Sequence, residues 1–161
     1  MKQPIEPIRI IEGREKEKIM EILLEQFGVE KIPGKIIKRG KEKIFLFTGS
    51  LTEREIQNLS QATFVERVGV YFAKENEGEL RLSIEGTQIL KNEIKKNIVE
   101  LNEEEKETWM MGHEILKKTG LKGFVVIKYK EDMLGTGKAS EEKITNFIPK
   151  SRRLKDKSIE N

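Results

Sequence analysis

The sequence predicts an α+β fold in which a small N-terminal α/β domain precedes a second small domain rich in strands. One early segment repeats apolar residues at helical spacing, whereas several short apolar runs between glycine-containing turns are typical of antiparallel strands. A length of 161 residues suffices for one domain or for two small ones, each with a modest core. A charged stretch near position 93 predicts a first domain over residues 1–93, a second over 94–149 and a basic tail over 150–161.

The first elements are an amphipathic helix and a hairpin. Within residues 14–27, apolar side chains fall on one helical stripe formed by Ile19, Leu23 and Phe27. Gly28 directly after this stripe predicts the end of the helix. Residues 35–38 and 43–48 are apolar runs joined through a turn at Gly40, and they predict paired strands.

Four further elements complete the first domain. Thr52 and Glu55 have the spacing of a capping box, which predicts a short helix after them. Apolar runs at residues 69–74 and 80–83 predict two strands around a polar turn. Residues 84–90 predict a second short helix before the charged stretch.

The second domain begins with a strand at residues 98–101, followed by the N-cap residue Asn102 and a helix at 103–110. Carboxylates crowd the first turn of this helix, where they interact favourably with the helix dipole. A loop over residues 112–122 leads to the final strands, which we expect at residues 123–129, 133–139 and 144–148.

Two stretches of this second domain resemble a known family. The residues from Glu100 to Leu116 and the ending from Phe147 to Leu154 are similar to the C-terminal PUA-like domain of the Fmu/RsmF-type RNA cytosine-5 methyltransferases. The layout of the whole chain resembles the Nip-type ribosome-biogenesis factors of archaea and eukaryotes, in which a small α/β domain precedes a PUA domain. The resemblance implies that residues 94–149 form a PUA-like β-barrel and that RNA is the leading partner.

Charge and cysteine content restrict the possible functions. With 31 Lys and Arg against 28 Asp and Glu, the net charge is only +3, so affinity for a polyanion depends on where the cations lie. The chain has no cysteine, which excludes disulfides and cysteine zinc sites, and its Lys/Glu-rich composition is typical of high growth temperature. No uncharged run approaches the ~20 residues of a membrane span, which predicts a soluble, cytoplasmic protein without a membrane partner.

Two short motifs lack the residues that their chemistry requires. A phosphate loop needs a glycine five positions before Gly137 and a hydroxyl residue after Lys138, but Asp132 and Ala139 occupy these positions. A zinc-protease helix needs a second histidine four residues after His113, and the chain has one histidine. We therefore expect no metal and no cofactor, and we interpret the glycines near position 136 as a bend or bulge in a strand.

The predicted RNA-binding residues combine a loop with basic positions: Gly112, His113, Lys117, Lys118, Lys122, Lys128, Lys138, Lys150, Arg152 and Arg153. The loop is included because it lies beside bound RNA in the resembling families, although an exposed histidine without a role is an equal alternative for His113. Isolated lysines could instead solvate a surface rich in glutamate. Trp109 is expected in the core rather than as a stacking platform, and the acidic residues 103–107 argue against contacts between their helix and RNA.

The resemblance to methyltransferases does not extend to catalysis. Cytosine-5 methylation requires attack on the base by a cysteine thiolate, and the chain contains no cysteine. We expect a protein that is not an enzyme and that binds rRNA or tRNA, in ribosome biogenesis or as an accessory to an RNA-modification enzyme. An RNA methyltransferase or a pre-ribosomal particle would then be a protein partner. The alternative is a protein-interaction adaptor whose N-terminal domain docks a partner and whose barrel is only a scaffold.

Overall fold

The computed structural model describes residues 8–48, 54, 55 and 69–155, and its mixed helices and strands agree with the predicted α+β class. The strands are β1 (Ile8–Ile10), β2 (Lys35–Arg39), β3 (Lys43–Phe47), β4 (Val70–Asn76), β5 (Glu79–Leu82), β6 (Ile98–Glu100), β7 (Gly123–Tyr129), β8 (Asp132–Ala139) and β9 (Ile144–Asn146). The helices are α1 (Gly13–Phe27), α2 (Ile84–Ile89) and α3 (Glu103–Met110), and a 3-10 helix covers Lys150–Arg152.

Some predicted features fall outside this description. Of the helix predicted after Thr52, the structure describes only Arg54 and Glu55, which are helical, and residues 156–161 of the predicted tail also lie outside. Within the described part of the chain, no helix is both long and apolar enough to cross a membrane.

The first sheet follows the chain, in the order β1-β2-β3-β4-β5, and every neighbouring pair is antiparallel. Helix α1 buries Ile19, Leu23 and Phe27 and ends as predicted, because Gly28 adopts a φ of 70°. The N–H groups of Gly28 and Val29 donate back to carbonyls in the last turn of α1, which stops the helix.

The segment that connects the two sheets forms hydrogen bonds with the C-terminal end of α1. The backbone N–H of Lys95 donates to the Phe27 carbonyl at 2.8 Å, and the side-chain amide of Asn97 donates to the Gln26 carbonyl. The charged stretch that predicted a domain boundary therefore supplies donors to helix carbonyls that have no partner within the helix.

The second sheet has the order β6-β7-β8-β9, with β6 and β7 parallel and the other pairs antiparallel. Helix α3 begins with the predicted cap, since Asn102 and Glu105 form a reciprocal capping box. Neither sheet closes into a barrel within the described residues. The PUA-like β-barrel therefore stays a prediction.

The largest apolar cluster takes residues from both sheets. Leu23 and Phe27 of α1 belong to the same cluster as Phe124, Val126 and Met133 of the second sheet. Further apolar residues form a second cluster around the fully buried side chain of Trp109. The division into residues 1–93 and 94–149 remains a prediction, and the shared cluster means that a fragment ending there would expose apolar side chains that the intact chain buries.

Candidate nucleic-acid interface

The residues after Pro149 are attached to the second sheet. The N–H of Leu154 donates to the carbonyl of Met110 at 2.8 Å, and the Nε of Arg153 donates to the carbonyl of Ile148 at 2.9 Å. Arg153 and Leu154, predicted as part of the basic tail over residues 150–161, thus lie against the C-terminal end of α3.

Gly112 makes room for Arg153. The glycine has a φ of 90°, and a Cβ atom at this position would lie 2.3 Å from both Cδ and Nε of Arg153. Any other residue would be strained and would displace the arginine. The two terminal nitrogens of the Arg153 guanidinium have no hydrogen-bond or ion-pair partner among the described residues, so they are available to a ligand.

Asn146, which the sequence reasoning did not single out, connects the loop to β9. Its side-chain amide donates to the carbonyls of Trp109 and His113, at 2.8 and 2.9 Å, and its Oδ1 accepts from the N–H of Ile148 at 2.7 Å. The imidazole of His113 is exposed. The loop that carries His113 and the segment that carries the arginines are therefore held together.

Arg152 extends from the 3-10 helix to the first half of the chain. Its guanidinium forms an ion pair with Glu85 on α2, and the two side chains are 43% and 39% exposed. An exposed pair of this kind contributes about 0–1 kcal/mol to stability. The ion pair matters mainly because it holds the Arg152 guanidinium where the two sheets meet.

Two neighbouring aromatic rings with a cation on either side continue this basic region. The Arg81 guanidinium lies 4.6 Å from the centroid of the Phe147 ring, the Phe147 and Phe124 centroids are 6.1 Å apart, and the Lys138 ammonium lies 5.5 Å from the Phe124 centroid. No carboxylate in the described part of the chain lies within 4.0 Å of the Arg81 guanidinium. The sequence reasoning missed Arg81 because it lies in the first half of the chain, far in sequence from the other cations.

We refer to these cations together as the basic surface, which consists of Arg81, Lys138, Lys150, Arg152 and Arg153. Arginine binds phosphate bidentately and stacks on planar rings, whereas lysine acts as a point charge. A surface of this kind can neutralise successive phosphates of a nucleic acid.

Two predicted residues lie beside Glu100 of β6. Lys117 binds Glu105 at 3.3 Å and the carbonyl of Glu100 at 3.2 Å, and Lys128 lies opposite Glu100 in the β6–β7 ladder. These contacts give Lys117 oxygen partners near β6, whereas Arg81 and Lys138 lie over aromatic rings.

The remaining predicted lysines, Lys118 and Lys122, are exposed. Lys122 precedes β7 at the end where Phe124 pairs with Lys138, which brings it close to the basic surface along the sheet. The acidic first turn of α3 lies about 10 Å along the helix axis from the end that contacts the arginines. Repulsion from these carboxylates is therefore weakest where the basic surface lies.

Two motifs behave structurally as predicted. Trp109 is fully buried, and its Nε1 donates to the carbonyl of Leu134 at 3.2 Å, so it belongs to the core. Gly135 and Gly137 lie within β8 rather than in a phosphate loop, and a Cβ at Gly137 would meet Trp109 at 2.7 Å. Among the described residues, no group of three or more His, Asp and Glu side chains is arranged to hold a metal ion.

Comparison with known proteins identifies the second half of the chain. No curated protein matches the sequence at a significant level. Residues 96–154, from the start of the second sheet to the attached arginines, match the family described as the methyltransferase RsmF PUA domain. A PUA domain is an RNA-binding domain, and the match indicates RNA binding for this part of the chain. Residues 96–154 therefore constitute a PUA-like domain that resembles the Fmu/RsmF-type domain.

Proposed function

We propose that this chain is a non-catalytic RNA-binding protein that acts on rRNA or tRNA, in ribosome biogenesis or as an accessory to an RNA-modification enzyme. One observation carries the proposal: the match to the RsmF PUA domain includes the segment in which Arg153 lies against the end of α3 and Arg152 pairs with Glu85 of α2. A matched RNA-binding domain thus presents two arginines in a fixed position.

The basic surface supports recognition by phosphate contacts and shape. Phosphate contacts from arginine and lysine position an RNA without reading its sequence. The exposed loop around His113 lies beside these cations and can supply a few contacts to bases or to 2′-hydroxyl groups, which distinguish RNA from DNA.

The absence of a thiol supports the proposal that the chain does not itself catalyse the methylation of cytosine. The covalent route to 5-methylcytosine starts with a cysteine thiolate, and the chain contains no cysteine. An RNA-binding module without this nucleophile fits an accessory protein that presents RNA to a separate methyltransferase.

A protein-interaction adaptor is the second candidate, and one observation favours it. Leu24 on α1 is 48% exposed, although most other large apolar side chains of the helix face the core. An isolated exposed leucine is common on protein surfaces, so this observation carries less weight than the family match.

Crosslinking the full chain to cellular RNA by ultraviolet light and sequencing the adducts tests the proposed function. We expect rRNA or tRNA fragments to be enriched over total RNA. Adducts distributed in proportion to total cellular RNA would contradict the proposed target class, and an absence of adducts would favour the adaptor.

Incubation of pure protein with RNA and a labelled methyl donor should transfer no label to cytosine, because no thiolate is present to attack the base. Stimulation of a cytosine-5 methyltransferase by the same protein would support the accessory role. Methyl transfer by the purified chain alone, with the activity following the protein through successive columns, would overturn the non-catalytic assignment.

A further inference from the structure

A cavity of about 380 Å³ lies where the two sheets meet, next to the basic surface. Its lining combines aromatic, cationic and polar side chains from both halves of the chain, among them Tyr71, Arg81, Glu85, Thr136, Phe147 and Arg152. Small-molecule sites in proteins have volumes of about 300 to 1,000 Å³ and place a few polar groups on a largely apolar wall. This cavity is therefore large enough for a compact planar ligand.

Thr136 lines the cavity from β8. The residue is 5% exposed, and its Oγ1 is the buried side-chain atom for which the described residues offer no hydrogen-bond partner. Neighbouring hydroxyls are paired: Thr87 donates to the Ile84 carbonyl and accepts from Gly135, and Ser83 donates to the Tyr71 carbonyl. A buried hydroxyl without a partner is unfavourable, and a ligand in the cavity can supply the missing hydrogen bond.

Aromatic groups and a cation without a carboxylate partner among the described residues also line the cavity. The Tyr71 ring packs against Phe45 and lines the cavity, and the Arg81 guanidinium lies over the Phe147 ring. Burial raises the pKa of Tyr71 above its ordinary value, an effect that nearby Arg81 partly opposes, so the hydroxyl is neutral at pH 7. Glu85, the carboxylate in the lining, is bound to Arg152.

We propose that this cavity receives one nucleobase turned out of the bound RNA, with its flanking phosphate on Arg81 and its edge hydrogen-bonded to Thr136. The inference rests on the proposed RNA-binding function and deepens it. A base supplies a planar ring for the aromatic wall and polar edge atoms for the buried hydroxyl, and its backbone supplies the anion that Arg81 lacks. Arg152 belongs to both the cavity and the basic surface, so an RNA strand on that surface passes the cavity entrance.

Two substitutions in the full chain test the proposed contact of the base with Thr136 and of the phosphate with Arg81 one at a time. Binding is measured against a mixed-sequence single-stranded RNA of about 10 nucleotides, a length within the range of small RNA-binding folds. Thr136→Val removes one neutral hydrogen bond and should weaken binding about threefold to tenfold, with an unchanged salt dependence. Arg81→Met should weaken binding roughly tenfold and make the slope of log K against log salt shallower by about 0.7.

Matched controls are Thr108→Val on α3 and Arg14→Met on α1, which lie outside the cavity lining and should bind as wild type does. Amide spectra of the wild-type protein, recorded with the same RNA, provide a measurement that needs no variant, and the Gly135 and Thr136 signals should shift. If RNA binds in a salt-dependent way but the Gly135 and Thr136 signals do not shift, or if Thr136→Val binds RNA as tightly as the wild type, the cavity assignment is wrong. The proposed function would stay intact in either case.

The nucleoside monophosphates are the second probe, because a free nucleotide offers the same ring and phosphate. If the RNA fails to bind but a monophosphate shifts the Thr136 signal, the site belongs to a free nucleotide, and both the proposed function and the RNA-base inference are wrong. If neither probe binds, both are also wrong. The inference is supported if the RNA binds and a monophosphate shifts the same Gly135 and Thr136 amide signals while competing only weakly with the RNA.

Discussion

Replacing Arg152 and Arg153 together by alanine lowers the affinity for single-stranded RNA about a hundredfold or more, while the protein stays folded. Each arginine contributes a charge-assisted hydrogen bond to phosphate, worth about 1.5–3 kcal/mol. The loss in stability is small because the ion pair between Arg152 and Glu85 is exposed and Arg153 contributes one hydrogen bond to the Ile148 carbonyl. Fluorescence anisotropy with labelled RNA and a thermal melt measure the two quantities.

Two controls distinguish the effect of where the arginines lie from the effect of losing two positive charges. Lys16→Ala with Lys18→Ala removes the same charge from the exposed side of α1 and should leave RNA affinity nearly unchanged. Gly112→Ala keeps every charge but displaces Arg153, so it should weaken binding in the same direction as the double arginine variant. Wild-type affinity in the double variant would remove these arginines from the site, and a much lower melting temperature would assign them a structural role.

Replacing Trp109 by alanine lowers the free energy of unfolding by about 3–5 kcal/mol. The side chain is fully buried in the second apolar cluster, and its Nε1 donates to the carbonyl of Leu134 at 3.2 Å. Alanine leaves a large cavity and an unpaired carbonyl. Since domains of this size are typically stable by only about 5–15 kcal/mol, chemical denaturation will detect the change readily.

Leu24→Ala, at a position that is 48% exposed, is the control for loss of an apolar side chain and should change stability much less. Trp109→Phe keeps most of the buried volume, and we expect it to retain RNA binding. A Phe variant that is stable but has lost its affinity for RNA would show that the indole contacts RNA, contrary to its buried position.

Local patterns in the sequence were sufficient for most of the helices and strands. The stripe through Leu23 predicted α1, and the left-handed conformation of Gly28 explains why that helix ends where it does. Asn102 was predicted as a cap, and the structure pairs it reciprocally with Glu105. These features depend on neighbours within a few residues, which the sequence shows directly.

The first strand and the long-range contacts were not predictable in this way. The strand β1 has only 3 residues, too few to show a period, and it is recognisable only through its pairing with β2. Arg81 and Phe147 are far apart in the sequence and meet because the two sheets share a core. Neither residue has a local pattern that distinguishes it from other surface positions.

The surroundings of the basic residues also depend on long-range contacts. Lys117 and Lys138 look alike in the sequence, but the structure gives them different surroundings, with Lys117 bound to an acidic helix start and Lys138 above an aromatic ring. Asn146 carried no signal because its importance comes from two carbonyls more than thirty residues earlier in the chain.

The salt dependence of RNA binding tests most directly whether the basic surface binds the phosphates of RNA. If each cation of this surface contacts one phosphate of a single strand, log K falls linearly with log salt with a slope of about −3.5, and removal of Arg152 and Arg153 reduces the slope to about −2. An affinity independent of salt, or a slope that the double variant leaves unchanged, would contradict RNA binding through this surface.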